Sequence, residues 1–452
     1  MSAKRLNRRD FLMTTGTVTG ATLLAACAAP PAPQAADESG SDSDEMAEVV
    51  TLEFLYFGSA AMGENFDPII AQWNEDHPTI QVKKTVVGGM TWGEYAQKVA
   101  VMIASGQDLD IIRMAIEGLR MFASKEIIHP IDDWIQRDGD KLDFGEFLED
   151  VSPFFFEAGS YQGKQYGIPL AFNMMSVWYN TTIFEENGID RPADDWTYDD
   201  FLAIATQLTQ PPDQWGWVPW IGWFVGVIPH AFAYDTSPLT PDWNAANTGD
   251  PKFIEMMQFR QDLIHEYGVA PEVGAGENPR QKFFTGKVGM VPDMRNMVLE
   301  GTKAGFTDWD HVPWPQKYAQ KYEVGTGFYC IPLESKHPEE AWQFMSTVVT
   351  GRAIAERKAS IGYANQSRRS VSTDPDLYAI GPRHFAWVYE AVDAGMAQHA
   401  PSPPDYPEIE AIVNRYQASI LSNEVSAEEG CLAAHEEIEE VIARREPGVT
   451  GM

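Results

Sequence analysis

Apolar and polar residues alternate with two distinct periods from residue 49 onward, and each period predicts its own kind of element. Runs of period two rich in β-branched residues predict strands, whereas runs of period three to four that end at glycine or proline predict helices. In chain order they give a strand at 49–58, a helix at 64–78, a strand at 79–89, a helix at 91–106 and a strand at 108–115. Because the connections are short, this order predicts an α/β fold with a mostly parallel sheet covered by helices.

Ligands of such sheets bind at the carboxyl ends of the strands. Two segments of this chain are predicted to lie there: the loop after the first strand, which contains Ser59, and the stretch just after Arg113. Ser59 is therefore a candidate ligand contact.

The second half of the chain carries mainly the helical period. Thr197 and Asp200 form a capping-box-like start for one of its helices. The predicted helices lie at 182–188, 196–210, 251–268, 337–351, 382–398, 407–423 and 426–446. The C-terminal third of the chain is thus predicted to be mostly helical.

Residues 215–234, WGWVPWIGWFVGVIPHAFAY, contain no formally charged side chain. Their length matches the roughly 20 apolar residues of a membrane span. Pro219 and Pro229 would each break a helical hydrogen bond, so a bent segment of the folded domain is favoured over a span. Trp220 and Trp223 share a face of a helical turn and become candidates for stacking on a ligand, with packing in the core as the alternative.

The first 48 residues are predicted to form an export signal followed by a tether. Four basic residues precede an uncharged stretch at 11–26, which is the layout of an export signal. Arg8–Leu12 resembles a twin-arginine motif, and Leu24–Cys27 resembles a bacterial lipobox. Residues 1–27 are predicted to be a twin-arginine-type lipoprotein signal with lipidation at Cys27, and the Pro-, Ala- and acid-rich residues 28–48 a disordered tether.

The charge, length and cysteine content of the chain limit its partners, its number of domains and its disulfide bonds. The 33 basic and 66 acidic residues give a net charge of −33, which repels nucleic acid and anionic lipid headgroups. A length of 452 residues is typical of two domains. Three cysteines are too few for a disulfide scaffold, and whether Cys330 and Cys431 are bonded is left open.

A block at 163–210 resembles the extracellular solute-binding proteins of ABC importers, in their sugar-binding, maltose-binding-protein-like branch. The looser matches at 283–293, where Gly289 stands for the usual alanine, and at 337–350 follow in the family's order, so the resemblance runs from Val49 to Val371. The motif residues within the block are Tyr166, Gly167, Ile168, Pro169, Tyr179, Asn180, Gly188, Pro192, Trp196 and Thr197.

The resemblance implies a two-lobe periplasmic-binding-protein-like fold of type II, with the ligand in the cleft. It places 49–170 and 288–333 in the N-terminal lobe, and 171–287 and 334–452 in the C-terminal lobe. It also implies a non-enzymatic, monomeric receptor that closes around a sugar or oligosaccharide and delivers it to the transmembrane subunits of an ABC permease. Such a receptor would need no cofactor and would sit outside the cytoplasm, held to the membrane by its lipid.

Sugar recognition needs flat aromatic faces for the C–H surfaces of the ring, and planar polar groups for its hydroxyls. On this basis Phe232 and Asp235, which end the apolar stretch, join its two tryptophans as candidates. Asn173 flanks an expected crossover between lobes, and Arg295 follows a Gly/Met-containing strand. The turn Gly325–Thr326–Gly327 precedes another crossover.

The sequence is also compatible with other functions. The chain carries no H-E-x-x-H motif, no G-x-S-x-G motif and no P-loop, and no metal site is predicted. The enzyme alternative is an exported glycosidase, which needs two carboxyl groups about 5–10 Å apart. The alternatives among binding proteins are receptors for glycerol phosphate, with an arginine cluster, or for a polyamine, with carboxylates.

Overall fold

The β-rich runs form two separate main sheets and one short hairpin. The structure, a computed structural model, describes residues 48–272 and 278–452. The predicted signal with Cys27 and the tether up to residue 47 lie outside the described residues. The strands are β1 (Val50–Phe57), β2 (Ile80–Val87), β3 (Ile111–Ala115), β4 (Ser160–Tyr161), β5 (Lys164–Gln165), β6 (Ile168–Met174), β7 (Ser176–Asn180), β8 (Trp215–Trp217), β9 (Val288–Asp293), β10 (Trp309–Val312), β11 (Tyr322–Cys330), β12 (Asn365–Gln366) and β13 (Ala397–His399).

The α-helices cover these sheets and dominate the C-terminal part. They are α1 (Ala60–Gly63), α2 (Asp67–Asp76), α3 (Trp92–Ala104), α4 (Ile116–Ser124), α5 (Asp132–Asp138), α6 (Leu142–Asp150), α7 (Pro153–Ala158), α8 (Thr181–Glu186), α9 (Tyr198–Leu208), α10 (Ile228–Ala233), α11 (Pro251–His265), α12 (Pro279–Phe284), α13 (Met297–Lys303), α14 (Pro338–Phe344), α15 (Arg352–Ser360), α16 (Arg369–Ser372), α17 (Trp387–Asp393), α18 (Tyr406–Leu421) and α19 (Ala427–Ile442). A 3₁₀ turn at Glu64–Phe66 precedes α2, and π-helical turns lie at Trp223–Val227 and Met345–Val349.

The larger sheet has the strand order β12-β6-β11-β3-β1-β2, with β13 paired to β11. β1 runs parallel to β2 and β3, as predicted, whereas β11 runs antiparallel to β3 and β6. The smaller sheet has the order β10-β7-β9-β8. The fold is therefore α/β with mixed sheets, and the three strands and two helices predicted up to residue 115 are confirmed.

Local capping residues set several helix starts. Thr91, Thr197 and Ser426 each accept a hydrogen bond from the backbone N–H three residues on, and the acidic side chain at that position accepts one in return. These reciprocal pairs satisfy backbone groups that a helix start leaves open. The capping box predicted at Thr197 is confirmed.

The predicted helix at 382–398 is shorter in the structure. It spans only Trp387–Asp393, because Gly395 with φ of 69° ends the helix, and the chain continues into β13. β13 then pairs in parallel with β11. The helical period therefore ran past the true helix end.

Chain crossings between the two sheets differ from the predicted lobe boundaries. β6 of the larger sheet passes into β7 of the smaller sheet through the single residue Met175. β9 and β10, which the prediction placed in the N-terminal lobe, pair antiparallel with β7 in the smaller sheet. The chain returns to the larger sheet only through 313–321, which precede β11.

The segment after β11 also packs differently from its predicted place in the C-terminal lobe. The indole N–H of Trp342 in α14 donates to Asp138 Oδ2 at 2.6 Å, and its ring stacks on Trp134 at 5.6 Å. Phe344 packs against Phe54 of β1 with tilted rings, whose centroids are 6.3 Å apart. Apolar packing thus holds α14 against the larger sheet, although it follows 333 in sequence.

Residues 215–234 form β8, a π-helical turn and α10. None of the described helices is long and apolar enough to cross a membrane. The bent segment predicted from Pro219 and Pro229 is confirmed. Cys330 and Cys431 are both buried and free.

Candidate ligand-binding site

A cavity of about 250 Å³ lies where the larger sheet meets segments that extend from the smaller sheet. We call it the intersheet cavity. Its larger-sheet side comes from β1, β3, β6, β11 and the starts of α3 and α4; the other side comes from the π-helical turn after β8 and the loop after β9. This position agrees with the predicted ligand edge at the ends of β1 and β3.

Small residues make the floor of the cavity. In the strand register, Gly327 of β11 lies opposite Ala115 of β3 and Ala171 of β6, and Gly325 lies opposite Asn173. A Cβ added at Gly327 would meet nothing closer than the Ala171 carbonyl oxygen at 3.6 Å and Arg113 Nη2 at 3.8 Å. The absence of side chains here leaves open space over the sheet.

Aromatic side chains form the walls. Phe57 and Trp92 pack together with ring centroids 4.3 Å apart, and Tyr363 and Phe224 line the cavity from two further segments. A Cβ on Gly325 would lie 2.6 Å from the Phe224 ring, so the π-helical turn sits directly on β11. Phe224 thereby joins the two sides of the cavity.

Two polar side chains in the cavity wall have buried atoms without a hydrogen-bond partner: Asn173 Oδ1 and Glu117 Oε2. Thr326 Oγ1 also lacks a partner, but its side chain lies on the opposite face of β11 from Gly325 and Gly327. Leaving such a group unsatisfied costs about 1–3 kcal/mol. A ligand that carries hydroxyl groups would satisfy Asn173 and Glu117. These unpaired polar atoms make the cavity suitable for a polar ligand.

Arg113 brings the one guanidinium among the described lining residues. Its Nη1 donates to the Phe57 carbonyl oxygen. Its Cζ lies 4.9 Å from the ring centroid of Tyr56, 5.3 Å from Trp92 and 5.7 Å from Tyr363. Stacking against three rings holds this cation in one place.

Glu117 is only 4% exposed. Burial raises its pKa to about 8, with the Glu410 carboxyl adding to the rise and Arg113 opposing it. The side chain is thus mostly protonated at neutral pH and can donate a hydrogen bond as well as accept one.

The structure brings four of the predicted site residues to the intersheet cavity: Asn173, Gly325, Thr326 and Gly327. Arg295 lies between two lining residues, but its guanidinium turns away, 4.0 Å from the Tyr378 ring, and donates to the Ile380 carbonyl oxygen at 2.9 Å.

The other predicted residues do not line the cavity. Ser59 is exposed and caps α1, although its neighbour Gly58 is a lining residue. Trp223 and Phe232 are each 1% exposed in the core, and Trp220 is half-buried beside Arg280. Asp235 forms ion pairs with Lys252 and Lys321 at the surface.

Sequence reasoning missed Arg113, Trp92, Phe224 and Tyr363 as contacts. For Arg113 a signal existed: it is the single charged residue in the apolar strand IIRMA, and charged side chains are rarely buried unless they are paired or have a function. No such signal existed for Phe224, because helical spacing places Trp220 and Trp223 on one face and made them the candidates for ligand contact.

Catalytic and metal chemistry find little support at this site. Glu117 is the only carboxyl group among the described residues that line the cavity, whereas a glycosidase needs two. No cluster of metal-ligating side chains occurs in the described ranges 48–272 and 278–452.

A second, larger groove of about 910 Å³ lies by the C-terminal tail, which we call the C-terminal groove. Two ion pairs join charged residues of its wall, Arg444 with Glu408 and Arg445 with Asp405, and it lies away from the ends of β1 and β3. Its size therefore does not make it the better candidate.

The chain is similar to known binding proteins in sequence and in fold. The chain is 25% identical over 361 residues to the maltotriose-binding protein of Pyrococcus abyssi, covering 73% of each chain. The ABC substrate-binding protein of Listeria monocytogenes, solved in complex with cycloalternan, superposes with a TM-score of 0.78 at 19% identity, over 88% of this chain and 100% of that one. Maltose-bound MalE3 of T. maritima gives 0.75 at 17% identity, over 87% and 100%.

The structural likenesses confirm the predicted two-lobe α/β fold. The family model described as bacterial extracellular solute-binding protein matches residues 59–350, well over half of the chain. On that match, the chain belongs to the bacterial extracellular solute-binding proteins, a family of binding components and not of enzymes.

Proposed function

We propose that this protein binds a sugar or oligosaccharide in the intersheet cavity and delivers it to an ABC permease. The observation that carries the proposal is the pairing of aromatic walls with two buried polar atoms, Asn173 Oδ1 and Glu117 Oε2, that have no partner in the protein. Aromatic faces suit the C–H surfaces of a sugar ring, and the unpartnered oxygens suit its hydroxyl groups.

The size and lining of the cavity fit a compact polar ligand. Its volume of about 250 Å³ is slightly below the roughly 300–1,000 Å³ of small-molecule sites. The names of the relatives point the same way, since they record maltotriose, cycloalternan and maltose as ligands of those proteins.

The other solutes considered find less support. A phosphate ester would call for several cationic side chains, and Arg113 is the only one among the described lining residues. A polyamine would call for several carboxylates, and Glu117 stands alone there with its pKa raised by burial.

Transport follows from closure of the two lobes around the ligand. Phe224 already packs onto β11 across the cavity, and Met175 and 313–321 connect the two main sheets, so these segments are the proposed hinges. A closed, ligand-bound form would be the state that the permease recognises. The proposal includes a monomer tethered outside the cytoplasm through a lipid on Cys27.

A ligand screen tests the proposal. The purified protein is heated with each member of a broad panel of mono- and oligosaccharides, with a phosphate ester and a polyamine as comparison ligands, while melting and tryptophan fluorescence are followed. We expect at least one sugar to raise the melting temperature and shift the fluorescence, because Trp92 lines the cavity. A panel without any sugar response would contradict the proposal.

A further inference from the structure

We infer that the sugar bound in the intersheet cavity carries a carboxylate, as in a uronic acid, and that Arg113 recognises it. This inference rests on the proposed function, because it names the class of sugar that the same site takes. It starts from a cation that the protein holds ready at the cavity without an acidic partner.

No carboxylate pairs with Arg113 anywhere in the described part of the chain; its guanidinium donates only to the Phe57 carbonyl oxygen. Arg280, by contrast, is buried and bidentate with Asp293, at 2.7 Å for both bonds. Three more buried arginines lack a carboxylate, but none of them lines the cavity: Arg120, Arg260 and Arg295.

The groups around Arg113 supply no negative charge at neutral pH. Glu117 is mostly protonated because burial raises its pKa to about 8. Burial also raises the pKa of Tyr56 and Tyr329, which keeps both phenols neutral. Lys358 lies over the rings of Tyr56 and Tyr363, and an amine cannot carry the missing negative charge. The cavity therefore carries an uncompensated positive charge within a chain of net charge −33.

The position of the guanidinium fits a ligand on the floor of the cavity. Arg113 Nη2 lies 3.8 Å from the point where a Gly327 Cβ would stand, in the open space over the strand. A planar guanidinium matches a carboxylate with two parallel, charge-assisted hydrogen bonds, whereas a hydrogen bond to a neutral hydroxyl lacks the opposite charge. A single guanidinium is a better match for a monoanionic carboxylate than for a phosphate dianion.

The test compares ligands that differ only in this charge. Calorimetric titrations of the full chain use glucuronate, galacturonate and digalacturonate, their methyl esters, the neutral sugars of the same configuration, and glucose 6-phosphate. A hydrogen bond to a charged group contributes about 1.5–3 kcal/mol, so we expect the acid to bind about 10- to 150-fold more tightly than its ester or neutral counterpart.

A variant assigns the preference to Arg113. Arg113→Gln is expected to reduce the acid-to-neutral ratio to near one. The matched control is Arg415→Gln, which removes the same charge from an exposed arginine that pairs with Glu437, and it is expected to keep the ratio of the unaltered protein. If Arg113→Gln does not fold, the comparison of acid and ester on the unaltered protein still decides.

The outcomes separate this inference from the proposed function. Neutral sugars that bind as tightly as uronates would overturn the inference and leave sugar binding standing. Tighter binding of the phosphate ester, or an acid-to-neutral ratio unchanged in a folded Arg113→Gln variant, would also overturn it. Failure of every sugar, acid or neutral, would overturn the proposed function itself.

Discussion

Glu117 shows how a single buried side chain at the cavity ties stability to pH. Its oxygen Oε2 has no partner, and burial raises its pKa from 4.5 to about 8. Between these two values the unfolded chain loses the proton while the folded protein keeps it. The unfolded state then binds fewer protons, so the free energy of unfolding falls as pH rises through this window and levels off above about 8.

Replacing Glu117 by glutamine removes this dependence. Relative to the unaltered protein, we expect the Glu117→Gln variant to gain on the order of 3 kcal/mol in free energy of unfolding between pH 5 and pH 8, at about 1.36 kcal/mol per pKa unit. Urea unfolding at pH 5, 6.5 and 8 measures it, with the exposed Glu424→Gln as control. A constant difference across this range would show that Glu117 ionises normally.

Individual site residues were only partly predictable. Asn173 was predicted from an expected chain crossing and Gly325–Gly327 from a glycine-rich turn; all of them line the cavity, but Gly325–Gly327 lie within strand β11 and not in a turn. Arg113 was passed over although its charge stands out in an apolar strand. The direction of a side chain within an irregular turn, as for Trp223 and Phe224, depends on tertiary packing and leaves no trace in residue spacing.

In the π-helical turn at Trp223–Val227, one residue packs in the core and the next lines the intersheet cavity. Trp223 points into the core, where its ring meets Tyr406 edge-on at 5.6 Å, whereas its neighbour Phe224 points to the cavity. π-helical turns are rare and frequently occur at functional sites. Two adjacent residues of one turn thus face different surroundings, the core and the cavity.

Alanine substitutions at Trp223 and Phe224 distinguish core packing from ligand contact. Trp223→Ala leaves a hole in the core and should lower the free energy of unfolding by about 3–5 kcal/mol. Phe224→Ala should lower it by less than half of that amount and should weaken sugar binding about two- to tenfold, because a stacked ring contributes about 0.5–1.5 kcal/mol beyond its buried area. Urea unfolding and calorimetry give the two quantities.

The contrary pattern is equally clear. If Phe224→Ala bound sugar as tightly as the unaltered protein while a folded Trp223→Ala variant lost affinity, the tryptophan would be the stacking residue, and the orientation of the turn would be reversed in solution.

At the scale of the whole molecule, the fold was largely predictable because periodicity reports local burial. The alternation up to residue 115 placed three strands of the larger sheet, and capping residues marked helix starts. The assignment of 288–321 to a lobe failed to match the strand pairing, since β9 and β10 join β7 through contacts more than a hundred residues apart. Pairing partners at that separation are set by tertiary structure, which no local pattern encodes.

The central claim is that a sugar occupies the open space over β11, and Gly327 offers the most direct test. A Cβ there meets only contacts of 3.6 Å or more, so Gly327→Ala should fold and melt normally while its methyl group fills part of the ligand's place. Overpacking of about 1–3 kcal/mol predicts an affinity loss of about fivefold or more.

The measurement is a calorimetric titration of the tightest-binding sugar from the screen into the unaltered protein and the Gly327→Ala variant. We predict binding at one site in the unaltered protein and at least about fivefold weaker binding in a variant with an unchanged melting temperature. Equal affinity in the two folded proteins would contradict the account and would place the sugar elsewhere, with the C-terminal groove as the next site to examine.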